Sequence, residues 1–144
     1  MEKVKTRTAE FWRDERGIFW VVMLAEDVDA EDIIDNMLVT RNITKGEPHL
    51  KILDSRTRWK MSAEAEAIFK KEDTPEKTIA RAVLVGTLAD KLFRSFLLTL
   101  YKPSVPLKFF TSEEEAVKWL LSFKKSQWHY RLPKHAACWP PKSG

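Results

Sequence analysis

Short apolar segments alternate with helical segments along this chain, and that alternation restricts its fold more than any other feature. Residues 78–85 read as a nearly continuous apolar strand, which Gly86 and Thr87 separate from a helix predicted over 88–101. A strand that is apolar throughout is typical of a parallel sheet whose faces are covered by helices. Strands alternating with helices therefore predict a mostly parallel sheet with right-handed crossovers.

The remaining segments extend the same pattern. A turn at 14–17 containing Gly17 separates two strand-like segments and predicts an antiparallel hairpin. Helices are expected where a capping residue precedes apolar residues at helical spacing. The predicted order is β-β-α-β-α-β-α-β-α, an α/β fold flanked by helices. Its strands are expected at 6–13, 18–24, 49–54, 78–85 and 107–110, and its helices after Asp29, Ser62, Thr87 and Ser112.

The last helix begins with a capping-box pattern, because each hydroxyl of Thr111-Ser112 is followed three residues later by a glutamate. Ala116, Trp119, Leu120 and Phe123 then recur at the spacing of one helical face. We predict that Trp119 is buried against the sheet.

Length and composition fit one domain with a sizeable core, since the chain has 144 residues, of which 44% are hydrophobic. It holds one cysteine, Cys138, so no intramolecular disulfide can form. The absence of disulfides fits a reducing compartment. No signal segment follows the first methionine, and no apolar run reaches the roughly 20 residues of a membrane span. We therefore expect a cytoplasmic protein with no transmembrane segment.

The charge is unevenly distributed along the chain. Residues 124–144 contain five basic and no acidic residues, whereas residues 1–123 contain 20 basic and 21 acidic residues. We divide the chain into an α/β domain at 1–123 and a basic, aromatic C-terminal extension at 124–144. Because the domain itself is nearly neutral, nucleic acid is not an expected partner.

Several strings resemble those of STAS domains, the SpoIIAA-like fold of anti-sigma factor antagonists and of the cytoplasmic domains of sulphate transporters. They include Leu53-Asp54 before a loop and a Ser-capped helix, and Ala82-Val83-Leu84-Val85-Gly86. The most specific string runs from Lys102-Pro103 through Pro106, Lys108 and Phe110-Thr111-Ser112-Glu113-Glu114-Glu115-Ala116 to Trp119-Leu120. The resemblance covers residues 6–123 and is greatest to small bacterial STAS-like proteins. It implies a SpoIIAA-like fold and a role as an interaction or regulatory module, whose protein partner the sequence does not identify.

The resemblance also singles out one serine. In anti-sigma factor antagonists, a phosphorylated serine begins the helix after the third strand, within an Asp-Ser-Ser-Gly type of motif. The matching segment here is Lys60-Met61-Ser62-Ala63, without the preceding acid or the following glycine. Ser62 is therefore either a phosphorylation switch or an N-cap that stabilises its helix by about 1 kcal/mol.

No catalytic motif is present. The chain has no glycine-rich phosphate loop, no nucleophile elbow and no His-Glu-x-x-His sequence, so we expect neither an enzyme nor a cofactor. His129, His135 and Cys138 supply three potential metal ligands, but a structural zinc site needs four. No metal site is predicted.

Two strand ends could border a ligand crevice. Asp54 and Ser55 end the third predicted strand, and Gly86 and Thr87 end the fourth. In open α/β sheets, ligands bind outside the carboxyl ends of the strands. The alternative is that Asp54 binds loop amides and Thr87 caps its helix.

The helix at 88–101 has more apolar residues than one core-facing stripe needs, and the extension adds large aromatic residues. This surplus predicts either a helix buried on two sides or a surface that binds a protein partner or a second copy. The simplest self-association is a two-fold homodimer. The extension either packs on its own domain or covers the helix of a second copy. The alternative function is small-molecule or lipid binding in a pocket beneath this helix. The candidate interaction residues are Phe93, Phe96, Leu97, Trp128, Tyr130 and Trp139.

Overall fold

The computed structural model describes residues 2–72, 77–100 and 103–131. A six-stranded sheet has the order β1-β2-β3-β5-β7-β8, and β4 pairs with β6 in a small second sheet. The strands are β1 (Val4–Lys5), β2 (Ala9–Arg13), β3 (Ile18–Met23), β4 (Asp27–Val28), β5 (His49–Asp54), β6 (Lys60–Met61), β7 (Thr78–Leu84) and β8 (Leu107–Phe110). The helices are α1 (Ala30–Thr44), α2 (Ala63–Glu72), α3 (Leu88–Leu98) and α4 (Glu113–Arg131).

The large sheet is mixed. Strands β3, β5, β7 and β8 run parallel to one another, whereas β1, β2 and β3 are antiparallel. In this register Val21 lies beside Leu53, and Val83 lies beside both Leu53 and Phe109. The predicted α/β class, the hairpin and the parallel strands at 50–54, 79–85 and 107–110 are therefore confirmed.

The hairpin between β2 and β3 is held by a buried aspartate. The Asp14 carboxylate accepts hydrogen bonds from the backbone N–H groups of Arg16 and Ile18 and from the indole of Trp20. Gly17 adopts φ +88°, a left-handed conformation that glycine reaches without steric cost. Burial alone would raise the pKa of Asp14, but hydrogen bonds from Trp20, Arg16 and Ile18 outweigh it and lower that pKa.

Each face of the large sheet has its own core. On one face, Phe19 and Val21 pack with Ile33 of α1 and Ala65 of α2. On the other face, α4 is the helix among the described ones that packs on the strands, through Ala116 and Leu120. The right-handed crossovers from β3 to β8 place α1, α2 and α3 on the first face, and α4 crosses to the second after the last strand.

A capping box fixes the start of α1. The Asp29 carboxylate accepts from the Asp32 N–H, and the Asp32 carboxylate accepts from the Asp29 N–H, each at 2.9 Å. The Asp32 carboxylate also binds the Arg7 guanidinium. This hydrogen bond from Arg7 is the largest reason that the pKa of Asp32 falls to about 2.

Three details differ from the sequence-based expectations. The short strands β1, β4 and β6 were not predicted, because two residues are too few to give a periodic pattern. Helix α3 ends at Leu98 instead of Tyr101, and α4 continues past Phe123 to Arg131. The division of the chain between residues 123 and 124 thus falls within a helix and stays a prediction.

The prediction that Trp119 is buried is wrong: its side chain is half-buried. The inner stripe of α4 is centred on Ala116 and Leu120, and Trp119 lies beside it over the edge strand β8. Its ring contacts those of Phe110 and Phe123, with centroids 5.6 and 4.8 Å away. No strand lies beyond β8, so nothing in the described sheet covers the outer side of the ring.

Among the described helices, none combines the length and the apolar composition that crossing a bilayer would require.

Candidate functional site

Helix α3 turns its apolar face away from the protein. Leu88, Leu92 and Phe96 follow one another at four-residue intervals, and Phe93 and Leu97 form the neighbouring ridge. None of the eleven residues of α3 is buried. The large apolar side chains on this face, with Leu100 just beyond the helix, are 43% to 73% exposed: Leu88, Leu92, Phe93, Phe96, Leu97 and Leu100.

The opposite side of α3, which faces the protein, is largely polar. Asp90, Lys91 and Ser95 lie there half-buried, with Leu98 as the apolar member. Asp90 binds Arg94 one turn later, at 3.2 Å. A surface helix normally buries its apolar stripe and exposes its polar residues, and α3 has the reverse orientation.

A cleft of about 850 Å³ opens between α3 and the β4–β6 sheet. Leu53, Val83 and Phe109 of three adjacent strands form its apolar floor, and Trp59 forms part of a wall. Charged residues border its mouth: Glu26, Asp27, Arg58, Lys60, Asp90 and Arg94. The size fits a drug-sized molecule, and its mixture of apolar floor and polar rim is common in ligand sites.

The predicted crevice residue Asp54 is engaged in a charged network. Its carboxylate accepts from the Arg56 N–H and binds the Arg56 guanidinium at 2.6 Å. The same guanidinium binds Glu113, the first residue of α4, at 2.8 Å. Hydrogen bonds first to Asp54 and then to Glu113 raise the pKa of Arg56 above its usual value. The network ties the end of β5 to the start of α4.

The other crevice candidates also have local partners. The Ser55 hydroxyl accepts a hydrogen bond from the Trp59 indole at 2.9 Å, and Ser55 lines the cleft. The Thr87 hydroxyl accepts from the Asp90 N–H at 3.0 Å and caps α3. Gly86 lies near the carbonyl of Arg56, where an added Cβ would make an ordinary contact at 3.7 Å. A ligand role for these residues stays a prediction.

Ser62 lies at the start of α2, as predicted. Its hydroxyl accepts from the Ala65 N–H at 3.1 Å, which is the geometry of an N-cap. The side chain is exposed, and Glu64 and Glu66 occupy the first turn. A phosphate on Ser62 would face these two like charges, and phosphorylation stays a prediction.

Two features here could not be found by inspecting the sequence. The cleft combines residues from β4, β5, β6, β7, β8 and α3, so no local motif marks it. Lys51 and Arg81 interrupt apolar strands and lie side by side in the register of β5 and β7, both nearly buried. Both have interaction partners within the molecule. They also border a cavity of about 90 Å³ near Trp59.

The candidate interaction residues of the C-terminal extension, Trp128, Tyr130 and Trp139, lie outside the described side chains. Residue 139 is beyond the described residues, and for 128 and 130 only the helical backbone is described. Among the side chains that the structure describes, no three His, Cys, Asp or Glu residues come together as metal ligands.

Residues 11–124 match the model of a family described as a domain of unknown function, DUF7793. No curated protein matches the chain.

The structure is similar to the crystal structure of an uncharacterised protein of the DUF3478 family from Shewanella loihica PV-4, which has a SpoIIAA-like fold. The two align with a TM-score of 0.57 and 12% sequence identity, over 78% of this chain and 91% of the other. At this identity the likeness concerns the fold, and it confirms the SpoIIAA-like resemblance inferred from the sequence.

Proposed function

The chain belongs to the DUF7793 family, and we propose that it is a non-enzymatic interaction module that docks through the outer face of α3 onto a second copy of itself. The observation that carries this proposal is the reversed orientation of α3, with six large apolar side chains at 43% to 73% exposure. A contiguous apolar patch on a soluble protein usually marks a contact surface.

The size of the patch supports a two-fold contact. Its six side chains together expose on the order of 600 Å² of apolar surface, from the areas that such side chains bury. Two copies that pack α3 against α3 would bury about 1,200 Å², the lower end of the range for specific interfaces. In an isologous contact the same patch serves both copies, so one apolar helix is sufficient.

Sedimentation of the full chain at tens of micromolar tests this proposal. We expect a dimer for the natural sequence and a monomer for the double variant Phe93→Ser, Phe96→Ser, which removes the centre of the patch. Leu38→Ser is the matched control, because Leu38 on α1 is 58% exposed, close to the 59% of Phe96. The control is expected to remain a dimer.

A natural chain that sediments as a monomer at this concentration would contradict self-association. A monomer that pellets with phosphatidylglycerol vesicles would assign the patch to a lipid surface instead. A chain ending at Lys125 adds a second comparison. If it also dimerises, α3 and not the C-terminal extension makes the contact.

The second candidate function is small-molecule binding, which the 850 Å³ cleft beside α3 favours. A ligand with an apolar body could lie on Leu53, Val83 and Phe109 while its polar groups meet the charged rim. Native mass spectrometry of the purified protein tests this candidate, since a bound molecule adds mass to the folded chain. Loss of that added mass in Val83→Trp, with the fold intact by circular dichroism, would assign it to the cleft. Added mass that Val83→Trp keeps would place the ligand elsewhere.

A further inference from the structure

On one face of the large sheet, the described helices cover only part of the strands. Helix α4 packs on β5, β7 and β8, and the other described helices lie on the opposite face. A helix is about 10 Å wide and strands lie about 4.8 Å apart, so one helix covers two to three strands. Ile18 and Trp20 of β3 are buried in one cluster with Ala116 and Leu120 of α4. Among the described elements, no helix covers the strip beside them, where Trp12 of β2 and Val22 of β3 stay partly exposed.

Two tryptophans border this strip, and the inner one, Trp20, is buried at 7% exposure. The rings of Trp12 and Trp20 stack with centroids 5.5 Å apart, and the Lys3 ammonium lies 4.3 Å from the Trp12 ring centre. Trp12 and Val22 remain partly exposed. They line a groove of about 390 Å³ that extends from the Asp14 turn to Glu113 at the start of α4.

The direction of α4 takes its end toward the edge of the sheet at which the groove begins. Helix α4 follows the carboxyl end of β8 after two residues and must run back along the sheet, so its last turn lies near the opposite edge, where the Asp14 turn also lies. Residues 132–144 follow Arg131 and can span about 40 Å when extended. That is about twice the length of β3, so the segment can return along the whole groove.

Charge and composition also match. Four carboxylates and two guanidinium groups line the groove, and with the Lys3 ammonium beside Trp12 the formal charge is −1: Asp14, Glu15, Asp54, Glu113, Arg16, Arg56 and Lys3. The side chains of residues 132–144 include Lys134 and Lys142 and no acid, a side-chain charge of +2. Pro133, Pro140 and Pro141 favour an extended backbone, and Trp139 is a large aromatic residue that can pack beside Trp12.

From these observations we infer that residues 132–144 of the same chain occupy the groove between α4 and the Trp12–Trp20 pair. The contact completes the second core face with Trp139 and leaves the α3 patch free. It is independent of the proposed self-association, because α3 lies on the opposite face of the sheet.

The single cysteine of the chain, Cys138, permits a direct test in the full-length protein. A nitroxide attached to Cys138 broadens the NMR signals of nearby indole N–H groups. We expect the signals of Trp12 and Trp20 to lose at least half of their intensity relative to the reduced label. Trp59 is the internal control, since it packs on the α1–α2 face and its signal is expected to be unchanged.

Two further samples distinguish docking within one chain from docking between two copies and from chance proximity. Trp139→Ala, which alters only the segment 132–144, is expected to restore the Trp12 and Trp20 signals. The control Ser143→Ala is expected to leave them broadened. A ¹⁵N-labelled Cys138→Ser chain is then mixed with unlabelled, spin-labelled chain. Broadening in this mixture would show that the tail docks on a second copy and would overturn the inference. Equal broadening of Trp59 and Trp12, or no broadening of either Trp12 or Trp20, would overturn it as well.

Discussion

Helices α3 and α4 each follow a parallel strand, yet they attach to the sheet in opposite ways. Helix α4 turns Ala116 and Leu120 inward, and both are fully buried. Helix α3 has no buried residue and turns its polar side toward the sheet. The sheet thus accepts one helix as part of its core and leaves the other on its surface.

The connections at their starts explain part of this difference. Glu113 at the start of α4 shares the Arg56 guanidinium with Asp54, so a charged network reaches into the sheet. The start of α3 has the Thr87 cap and the Asp90–Arg94 pair, both of which lie within the helix. Tertiary packing supplies most of the stability of a helix in a protein, so the two helices should respond differently to the same kind of substitution.

The largest difference is expected for leucine truncation. Leu120→Ala removes a fully buried side chain and should lower the free energy of unfolding by about 2–5 kcal/mol. Leu92→Ala removes a side chain that is 61% exposed and should change it by about 0.5 kcal/mol or less. Urea unfolding at submicromolar protein measures both without a contribution from self-association. Equal losses for the two variants would mean that α3 belongs to the core.

The next comparison concerns two arginines. Arg56→Ala leaves the buried Asp54 carboxylate without its cation and should cost about 2 kcal/mol, less than a fully buried pair because the Arg56 side chain is 43% exposed. Arg94→Ala removes one exposed i,i+4 pair and should cost about 0.3–0.5 kcal/mol. Thermal melts of both variants check the order. A larger loss for Arg94 would mean that the attachment of α3 depends on its charged side.

Most of this architecture could be predicted from the sequence. The apolar strand at 78–85 and the capping residues before each helix are local signals, and they gave the element order and the parallel pairing. Local signals fail for strands of only two residues, such as β1, β4 and β6, because so short a segment has no periodic pattern. They also fail where position relative to an edge decides burial, as at Trp119, which has helical spacing but lies over the last strand.

The candidate site was only partly predictable. The surplus of apolar residues at 88–101 correctly indicated a helix beyond the needs of one core stripe. Which side of that helix faces the sheet depends on tertiary contacts, and the sequence left burial on two sides open. The cleft could not be predicted, because Leu53, Val83 and Phe109 come together only through the register of three strands.

A third comparison sets α1 beside these two helices and concerns how the free energy of unfolding changes at acid pH. The folded pKa of Asp32 is about 2 against an ordinary 3.8, so its contribution is present above about pH 4 and is lost as the pH falls through 2. We expect a loss of about 1–2 kcal/mol, discounted because its partner Arg7 is 60% exposed. Asp32→Asn should flatten this part of the pH dependence of urea unfolding. An unchanged slope in the variant would assign the acid sensitivity to other carboxylates.

The smallest effects are expected at the two N-caps, where they distinguish local from global stability. The Ser112 hydroxyl accepts a hydrogen bond from the backbone N–H of Glu115 at 3.2 Å, and the Thr87 hydroxyl accepts one from the N–H of Asp90 at 3.0 Å. Ser112→Ala should lower the global free energy of unfolding by about 1 kcal/mol, because α4 cannot fray without exposing core residues. Thr87→Ala should leave the global value nearly unchanged and instead speed hydrogen exchange in α3 alone, since few buried contacts resist its local opening. A global loss of about 1 kcal/mol in Thr87→Ala would show that α3 unfolds together with the core, and the contrast between the two helices would then be one of exposure and not of stability.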